Sequence, residues 1–374
     1  MIREDGIRLD QHLAFILGTR PEIIKLAPLI RECDERGESY TLIHTGQHYS
    51  DSLDAVFFDQ LELPTPDHQL GVGSASHGEQ TGEMLTEIER VLQKEEPNVA
   101  FVQGDTNSVL AGAIAASKLD CKLAHVEAGL RSFDREMPEE TNRVIADHVS
   151  DYLFAPTEQC RHYLLEEGRP DEKIYVTGNT VVDALYQNRE FAHEKSDVLS
   201  ELGLTDVPYF LMTAHRAENV DDAVRFQDML TGVAAAADEH DVPVVYPIHP
   251  RPRNRIEEFE LDVPDLIRLL EPQEYLDFLR LEAEAELVLT DSGGVQEEAC
   301  IFRVPCVTLR DSTERPETID VGANRLSGTD PDSIQAATQS MLAKPAEWEN
   351  PFGDGTAAQQ MLDVITKQPQ QVTQ

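Results

Sequence analysis

Apolar positions along this 374-residue chain come in short unbroken runs, separated by longer stretches in which they recur every three or four residues. HLAFILG (12–18), YTLIHTG (40–46), NVAFVQGD (98–105), KLAHVEAG (122–129) and DYLFAPT (151–157) are runs of the first kind. Such runs, closed by Gly, Asp or Thr, predict strands buried on both faces, as in a parallel sheet. PEIIKLAPLIRECDERG (21–37), SLDAVFFDQLEL (52–63), EQTGEMLTEIERVLQKE (79–95) and SVLAGAIAASKL (108–119) have helical spacing. The first of these carries Pro21 in its opening turn and Gly37 as its stop. The second half repeats the pattern, with strands expected at PYFLMTA (208–214), VPVVYPIH (242–249), AELVLTD (285–291) and VPCVTL (304–309). Segment 169–187 reads as a crossover that turns at Gly178 and Asn179. GTAAQQMLDVITK (355–367) reads as a last helix before a polar, Gln-rich tail expected to fray. Alternating strands and helices predict an α/β fold of two doubly wound, Rossmann-like parallel-sheet domains facing each other across a cleft. The first would span 1–178, joined by the C-terminal helix segment 355–374, and the second 179–354.

Composition narrows the functional classes. The length suits two domains, and 40% hydrophobic residues suffice for a real core. Seventy acidic residues against 31 basic ones give a net charge of −39, which repels nucleic-acid phosphate and anionic lipid. The basic residues are 8 Lys and 23 Arg. Abundant carboxylates with few lysines point to a salt-adapted, haloarchaeal-type proteome, where screening makes self-repulsion cheap. Five cysteines without a CxxC indicate neither a disulfide framework nor a zinc site. No apolar run is long enough to span a bilayer, and MIREDGIRLDQ is too polar for a signal peptide. The expectation is a soluble, cytoplasmic protein with no metal.

In doubly wound sheets ligands bind beyond the carboxyl ends of the strands, so the polar residues placed there carry the candidate chemistry. GTRPEIIK (18–25) sets Arg20 and Lys25 on a helix that starts just after a strand. This is an anion-binding layout, or else a capped helix with solvent-facing cations. Asp105 ends the strand at QGDTNS, as a carboxylate offered to a ligand or as the N-cap of the next helix, a role open also to Thr106 and Ser108. HVEAGLRSFDREMPEETNR (125–143) crowds Glu127, Glu136, Glu139 and Glu140 around one strand-to-helix loop. Glu139 and Arg143 there are spaced as a helical ion pair. His215 and Arg216 follow a strand in TAHRAEN, and YPIHPRPRN (246–254) is a basic patch with either an anionic ligand or a helix-terminus role. In LTDSGGVQEEA (289–299), Ser292, Gly293 and Gly294 open a helix on which backbone N–H groups can meet a phosphate, and Glu298 lies one turn in, where an acid can hold a ribose diol. Arg310 begins the neighbouring segment RDSTERPETID. Carboxylates gather on the first half and phosphate-type groups on the second, which fits a nucleotide sugar.

Taken in order, GTRPEIIK, TGQHY, GDT, HVEAGLR, MPEETNR, GNTVVDAL, HRAEN, DSGGVQEEA and RDSTERPE run over about 310 residues. The set closely resembles the non-hydrolysing UDP-N-acetylglucosamine 2-epimerases. That resemblance implies a GT-B fold whose C-terminal helix returns to the first domain. It implies an isomerase that interconverts UDP-N-acetylglucosamine and UDP-N-acetylmannosamine by eliminating UDP to 2-acetamidoglucal and adding it back, without a cofactor, usually as a homodimer. It casts Asp105, Glu127 and Glu139 as acid/base carboxylates, and Arg20, Lys25, Arg143 and His215 as groups that hold or act on substrate and diphosphate. Ser292, Gly294 and Glu298 become UDP ligands, with Glu298 on the ribose; Arg216, Gly293 and Arg310 join the binding candidates. Relatives acting on a UDP-diacetamido-glucuronate share similar loops, and a GT-B glycosyltransferase is the more distant alternative. The chain departs from the pattern at Tyr49, where allosterically activated bacterial members carry Arg after Gln-His, and in a shorter RSFDREMPEE loop.

Overall fold

The computed structural model describes residues 11–47 and 57–367. The polar start, His48 and Tyr49, the beginning of the expected 52–63 helix and the Gln-rich tail lie outside them. The chain divides into two compact units, the first made of 1–184 and 352–374 and the second of 185–351. The division falls within the helix Thr180–Lys195 rather than at residue 178.

Among the described residues the first unit holds a parallel sheet built from β1 (His12–Leu17), β2 (Ser39–His44), β3 (His68–Gln69), β4 (Val99–Gln103), β5 (Lys122–Val126), β6 (Tyr152–Ala155) and β7 (Ile174–Val176). Their order is β3-β2-β1-β4-β5-β6-β7. The inner strands are mainly apolar because helices cover both faces. Phe15 stacks on Phe101 with centroids 5.0 Å apart, and Phe101 on Phe154 at 6.4 Å. The helix Arg20–Arg36 follows β1, with Pro21 in its first turn and Gly37 ending it in the left-handed conformation, φ 67°.

The second unit is a parallel sheet of β8 (Phe210–Thr213), β9 (Val244–Pro247), β10 (Ile267–Leu270), β11 (Leu287–Thr290), β12 (Cys306–Thr308) and β13 (Asn324–Leu326), in the order β10-β9-β8-β11-β12-β13. Its core surrounds Phe210, Phe226 and Tyr246. Both sheets therefore have the doubly wound architecture expected. Each reverses its winding once, between β1 and β4 in the first unit and between β8 and β11 in the second. That reversal parts the loops at the carboxyl edge and opens a crevice there.

The expected crossover at 169–187 contains β7, an edge strand. The other strands without a clear sequence signal, β3, β10 and β13, are also edge strands. Edge strands bond on one side only and tolerate short, polar sequences such as His68–Gln69. The last helix, Ala357–Lys367, packs on the first unit. Its first two amides, Ala357 and Ala358, donate to the buried Asp183 carboxylate at 3.3 and 2.9 Å. Gly178 and Gly353 pass so closely that the Asn179 amide reaches the Phe352 carbonyl at 3.0 Å.

Candidate active site

In the first unit the site starts from a close approach. Gly18, just after β1, lies against the side chains that follow β2 and β4, and a Cβ there would collide with Thr45 Oγ1 and Ser108 Oγ. The buried Glu22 carboxylate then ties the two sides of the switch point together. It accepts from the Gly18 amide at 2.8 Å, Thr19 Oγ1 at 2.9 Å and Thr106 Oγ1 at 2.6 Å. Burial raises the Glu22 pKa against the pull of these donors.

Glu127 stands at the end of β5 with φ 69°, a strained left-handed backbone for a non-glycine residue. Its buried carboxylate accepts from Lys25 Nζ at 2.7 Å, from Asn179 Nδ2 at 2.9 Å and from Gln103 Nε2. Asp105, one loop away after β4, is paired with Arg143, and Asn142 Nδ2 holds its backbone carbonyl at 2.9 Å. Desolvation raises the Asp105 pKa, and the nearby Glu127 charge adds to this against the opposing Arg143.

Two expectations are corrected here. Asp105 does not cap the following helix; Thr106 does, accepting from the Val109 amide, which leaves the Asp105 carboxylate to Arg143. Glu139 and Arg143 form no i,i+4 pair, because Arg143 is drawn to Asp105 and, at 3.2 Å, to Glu140. Glu140 is buried and anchors the loop through the Ser132 and Phe133 amides, while Glu139 stays half-buried. Arg20 lies 5.8 Å from the Phe57 ring centroid, whereas Lys25 turns to Glu127.

Behind these groups is an ionic network that no motif announced. His125, on β5 two residues before Glu127, is fully buried, with Nδ1 2.7 Å from Asp147 and Nε2 2.8 Å from the Gly104 carbonyl. Both partners are acceptors, so both ring nitrogens carry protons. Burial alone would lower the His125 pKa; Asp147 and the Gly104 carbonyl reverse that and raise it. Arg131 braces Asp147 at 2.7 Å and Glu167 at 2.6 Å. The imidazolium thus fixes the carbonyl next to Asp105 from the strand that bears Glu127.

In the second unit His215 and Arg216 follow β8, across that sheet's switch point from Asp291, which follows β11. Asp291 is fully buried and gathers the His215 and Arg216 amides at 3.0–3.1 Å, Asn219 Nδ2 at 3.1 Å and His215 Nδ1 at 3.2 Å. Burial would raise its pKa; these donors outweigh it and hold the carboxyl below its ordinary value. The half-exposed His215 imidazole is aimed by this contact and lies 6.2 Å from the His249 ring. The cations of the PRPRNR segment are engaged locally, Arg251 and Arg255 by Asp221 and Arg253 by Glu271.

Ser292, Gly293 and Gly294 open the helix Gly293–Phe302. The Ser292 side chain makes no capping bond, and a Cβ on Gly294 would meet nothing closer than 3.9 Å. Beside this N-terminus Arg310 grips Glu314 with both arms, at 2.7 and 3.0 Å, and Arg216 reaches the same carboxylate at 3.3 Å. Glu314 Oε2 lies 3.6 Å from where a Gly293 Cβ would stand, and the Arg310 bonds hold its carboxyl down to about 2. An anion is therefore already accommodated between two arginines and a helix N-terminus, the arrangement that a phosphate requires. Glu298 is half-buried one turn further on.

Sequence reasoning passed over Glu22, Gln103, His125, Asp147, Asn179, Asp291 and Glu314. His125 inside KLAHV and Gln103 at the end of VAFVQ were polar residues where the pattern called for apolar ones, while Asn179 and Asp291 were read only as a turn and a strand end.

Two doubly wound units, one presenting braced carboxylates at its switch point and the other arginines at a glycine-opened helix, define an α/β protein built for nucleotide-sugar chemistry. The sequence profile of the UDP-N-acetylglucosamine 2-epimerase family matches residues 31–366. The UDP-N-acetylglucosamine 2-epimerase of Methanocaldococcus jannaschii is 52% identical over 95% of this chain and 98% of its own. The crystal structure of that organism's enzyme in complex with UDP-GlcNAc and UDP superposes with a TM-score of 0.78 over 95% of this chain and 99% of the other. The UDP-2,3-diacetamido-2,3-dideoxy-D-glucuronate 2-epimerase of Pseudomonas aeruginosa is 42% identical over 94% of this chain and 98% of its own. The chain belongs to the UDP-N-acetylglucosamine 2-epimerase family.

Proposed function

We propose that this chain interconverts UDP-N-acetylglucosamine and UDP-N-acetylmannosamine by inverting C2, without hydrolysing the nucleotide sugar. The observation that carries the proposal is the pair of carboxylates Asp105 and Glu127, close enough to perturb each other and held by Arg143 and by Lys25 and Asn179, in a chain 52% identical to an enzyme of that name. The C2 proton is weakly acidic and needs a positioned base. A carboxylate with a raised pKa, such as Asp105, is suited to that task. Removal of the proton with departure of UDP from C1 forms the C1–C2 double bond of 2-acetamidoglucal. Return of a proton to the opposite face of C2, with UDP adding back at C1, gives the epimer. A second carboxylate must serve the second face, and Glu127 and Glu139 are the groups assigned to it. Arg216, Arg310, His215 and the N–H groups at Gly293 and Gly294 stabilise the departing diphosphate. Arg20, Lys25 and Arg143 hold the sugar end, and Ser292 and Glu298 bind UDP.

The same reading makes the protein a cytoplasmic homodimer whose carboxylate-rich surface is an adaptation to salt. The 70 acidic against 31 basic residues support the last point, and no helix among the described residues is long and apolar enough to cross a membrane.

The test is incubation with UDP-N-acetylglucosamine in heavy water at high salt. Deuterium at C2 of a UDP-N-acetylmannosamine product, with UDP retained, is expected; absence of C2 exchange would sink the proposal. Exchange with UDP-diacetamido-glucuronate alone would transfer the activity to that sugar. Asp105→Asn and Glu127→Gln should each slow exchange about 10²–10⁴-fold while UDP still binds.

A further inference from the structure

The helix Tyr275–Ala283 buries Leu276, Leu279 and Leu281, and with them Glu282, whose side chain has no access to solvent. An ionised carboxylate in such surroundings needs a cation or several N–H donors to offset its lost hydration. No donor among the described residues reaches either Glu282 oxygen. The hydrogen-bonding group opposite it is a second carboxyl, Glu298 on the helix Gly293–Phe302. Two carboxylates repel, but an acid and a carboxylate share a short charge-assisted O–H···O⁻ bond. Burial decides which of them keeps the proton, since Glu282 is enclosed and Glu298 is half-exposed.

We propose that Glu282 is a positioning residue for nucleotide binding: as the neutral acid it donates to one oxygen of Glu298, leaving the other turned out to accept ribose hydroxyls. Burial, then the charge and hydrogen bond of Glu298, raise the Glu282 pKa well above the usual carboxyl value. The nearby Cys306 thiol is raised by its own burial and stays neutral. A side chain fixed in its binding orientation loses less freedom when the ligand arrives. The proposal rests on the reading that Glu298 holds the ribose of UDP.

The experiment measures UDP and 2′-deoxy-UDP binding by titration calorimetry, thermal melting and steady-state kinetics on the full chain carrying Glu298→Ala, Glu282→Gln or Glu282→Leu. Glu298→Ala should weaken UDP binding by about tenfold or more, the loss of a hydrogen bond to a charged group. Glu282→Gln keeps a donor toward Glu298 and should bind UDP within about twofold of the parent. Glu282→Leu, which replaces a buried acid by an apolar group, should melt no lower than the parent. It should nevertheless raise KM about fivefold with little change in kcat and narrow the preference for UDP over 2′-deoxy-UDP, the effect of a lost positioning hydrogen bond. If Glu282→Leu binds both nucleotides like the parent, or if Gln and Leu lose binding equally, the positioning role is overturned while the ribose reading stands. If Glu298→Ala leaves UDP binding unchanged, the ribose reading itself falls.

Discussion

The two units share one architecture and use it in opposite ways. In the first, the buried carboxylates are met by internal donors: Glu22 by three, Glu127 by Lys25, Gln103 and Asn179, Asp147 by His125, Arg131 and the Gly129 amide. In the second, the cations meet half-exposed carboxylates that a stronger anion can replace: Glu314 at Arg310 and Arg216, Glu218 at Arg310. The difference fits the proposed chemistry. Proton transfer rewards groups fixed before the substrate arrives, whereas binding and releasing a diphosphate rewards partners that exchange.

Breaking the first unit's network tests that contrast most severely. Asp147→Asn leaves the buried His125 and Arg131 cations without their shared anion and should cost about 3–5 kcal/mol of stability, read by denaturant unfolding. It should also slow C2 exchange, because Gly104 and Asp105 lose their anchor. A loss of under 1 kcal/mol would show that the network is not braced as described.

The pH responses of two carboxyls should have opposite signs. Asp183 in the first unit is pushed up to about 6, by burial that its bonds to Ala357 and Ala358 do not offset. The native state then holds a proton that the unfolded chain has released, so this group's contribution falls as pH rises from about 4 to 6. At about 1.4 kcal/mol per unit the change is on the order of 3 kcal/mol. Asp183→Asn should flatten that slope in melting curves taken across the window.

In the second unit, Arg310→Ala should weaken UDP binding by about 10–100-fold, since a forked charge-assisted pair to phosphate is lost. Calorimetric titration at several salt concentrations would measure it. The smallest effect is expected at Glu314, whose depressed carboxyl stabilises the fold above the ordinary carboxyl pKa and loses that contribution as pH falls towards 2. Because the side chain is half-exposed, Glu314→Gln should cost no more than about 1 kcal/mol at neutral pH. Parent and variant should melt alike near pH 2; a gap persisting there would contradict the assignment.

The central strands of both sheets were legible because burial on two faces leaves no choice but apolar runs. The four edge strands were not, since pairing on one side places little demand on sequence. Loop residues such as Asp105, Glu127 and Ser292 could be picked out by position at strand ends. Their bonding could not: choosing Asp105 over Glu139 as the Arg143 partner depends on two loops meeting, and such meetings have no local signature. His125 and Asp147 were hidden for the same reason, since a strand and a helix must meet before the two can pair.

The helix Ala357–Lys367, docked beside Asp183 and close to Gly178, also bears on how the chain is made. Residues Ala357, Ala358, Met361, Leu362 and Ile365 are all buried against the first unit, yet they follow the whole of 185–351 in sequence. A ribosome adding about 5–20 residues per second needs on the order of ten to thirty seconds to pass that stretch. Through that interval the nascent first unit waits with an apolar surface uncovered, while the second can close once its own last helix, Pro331–Leu342, emerges. Sequential synthesis therefore gives the later-made unit the chance to finish first and leaves the earlier one incompletely covered until the helix Ala357–Lys367 arrives.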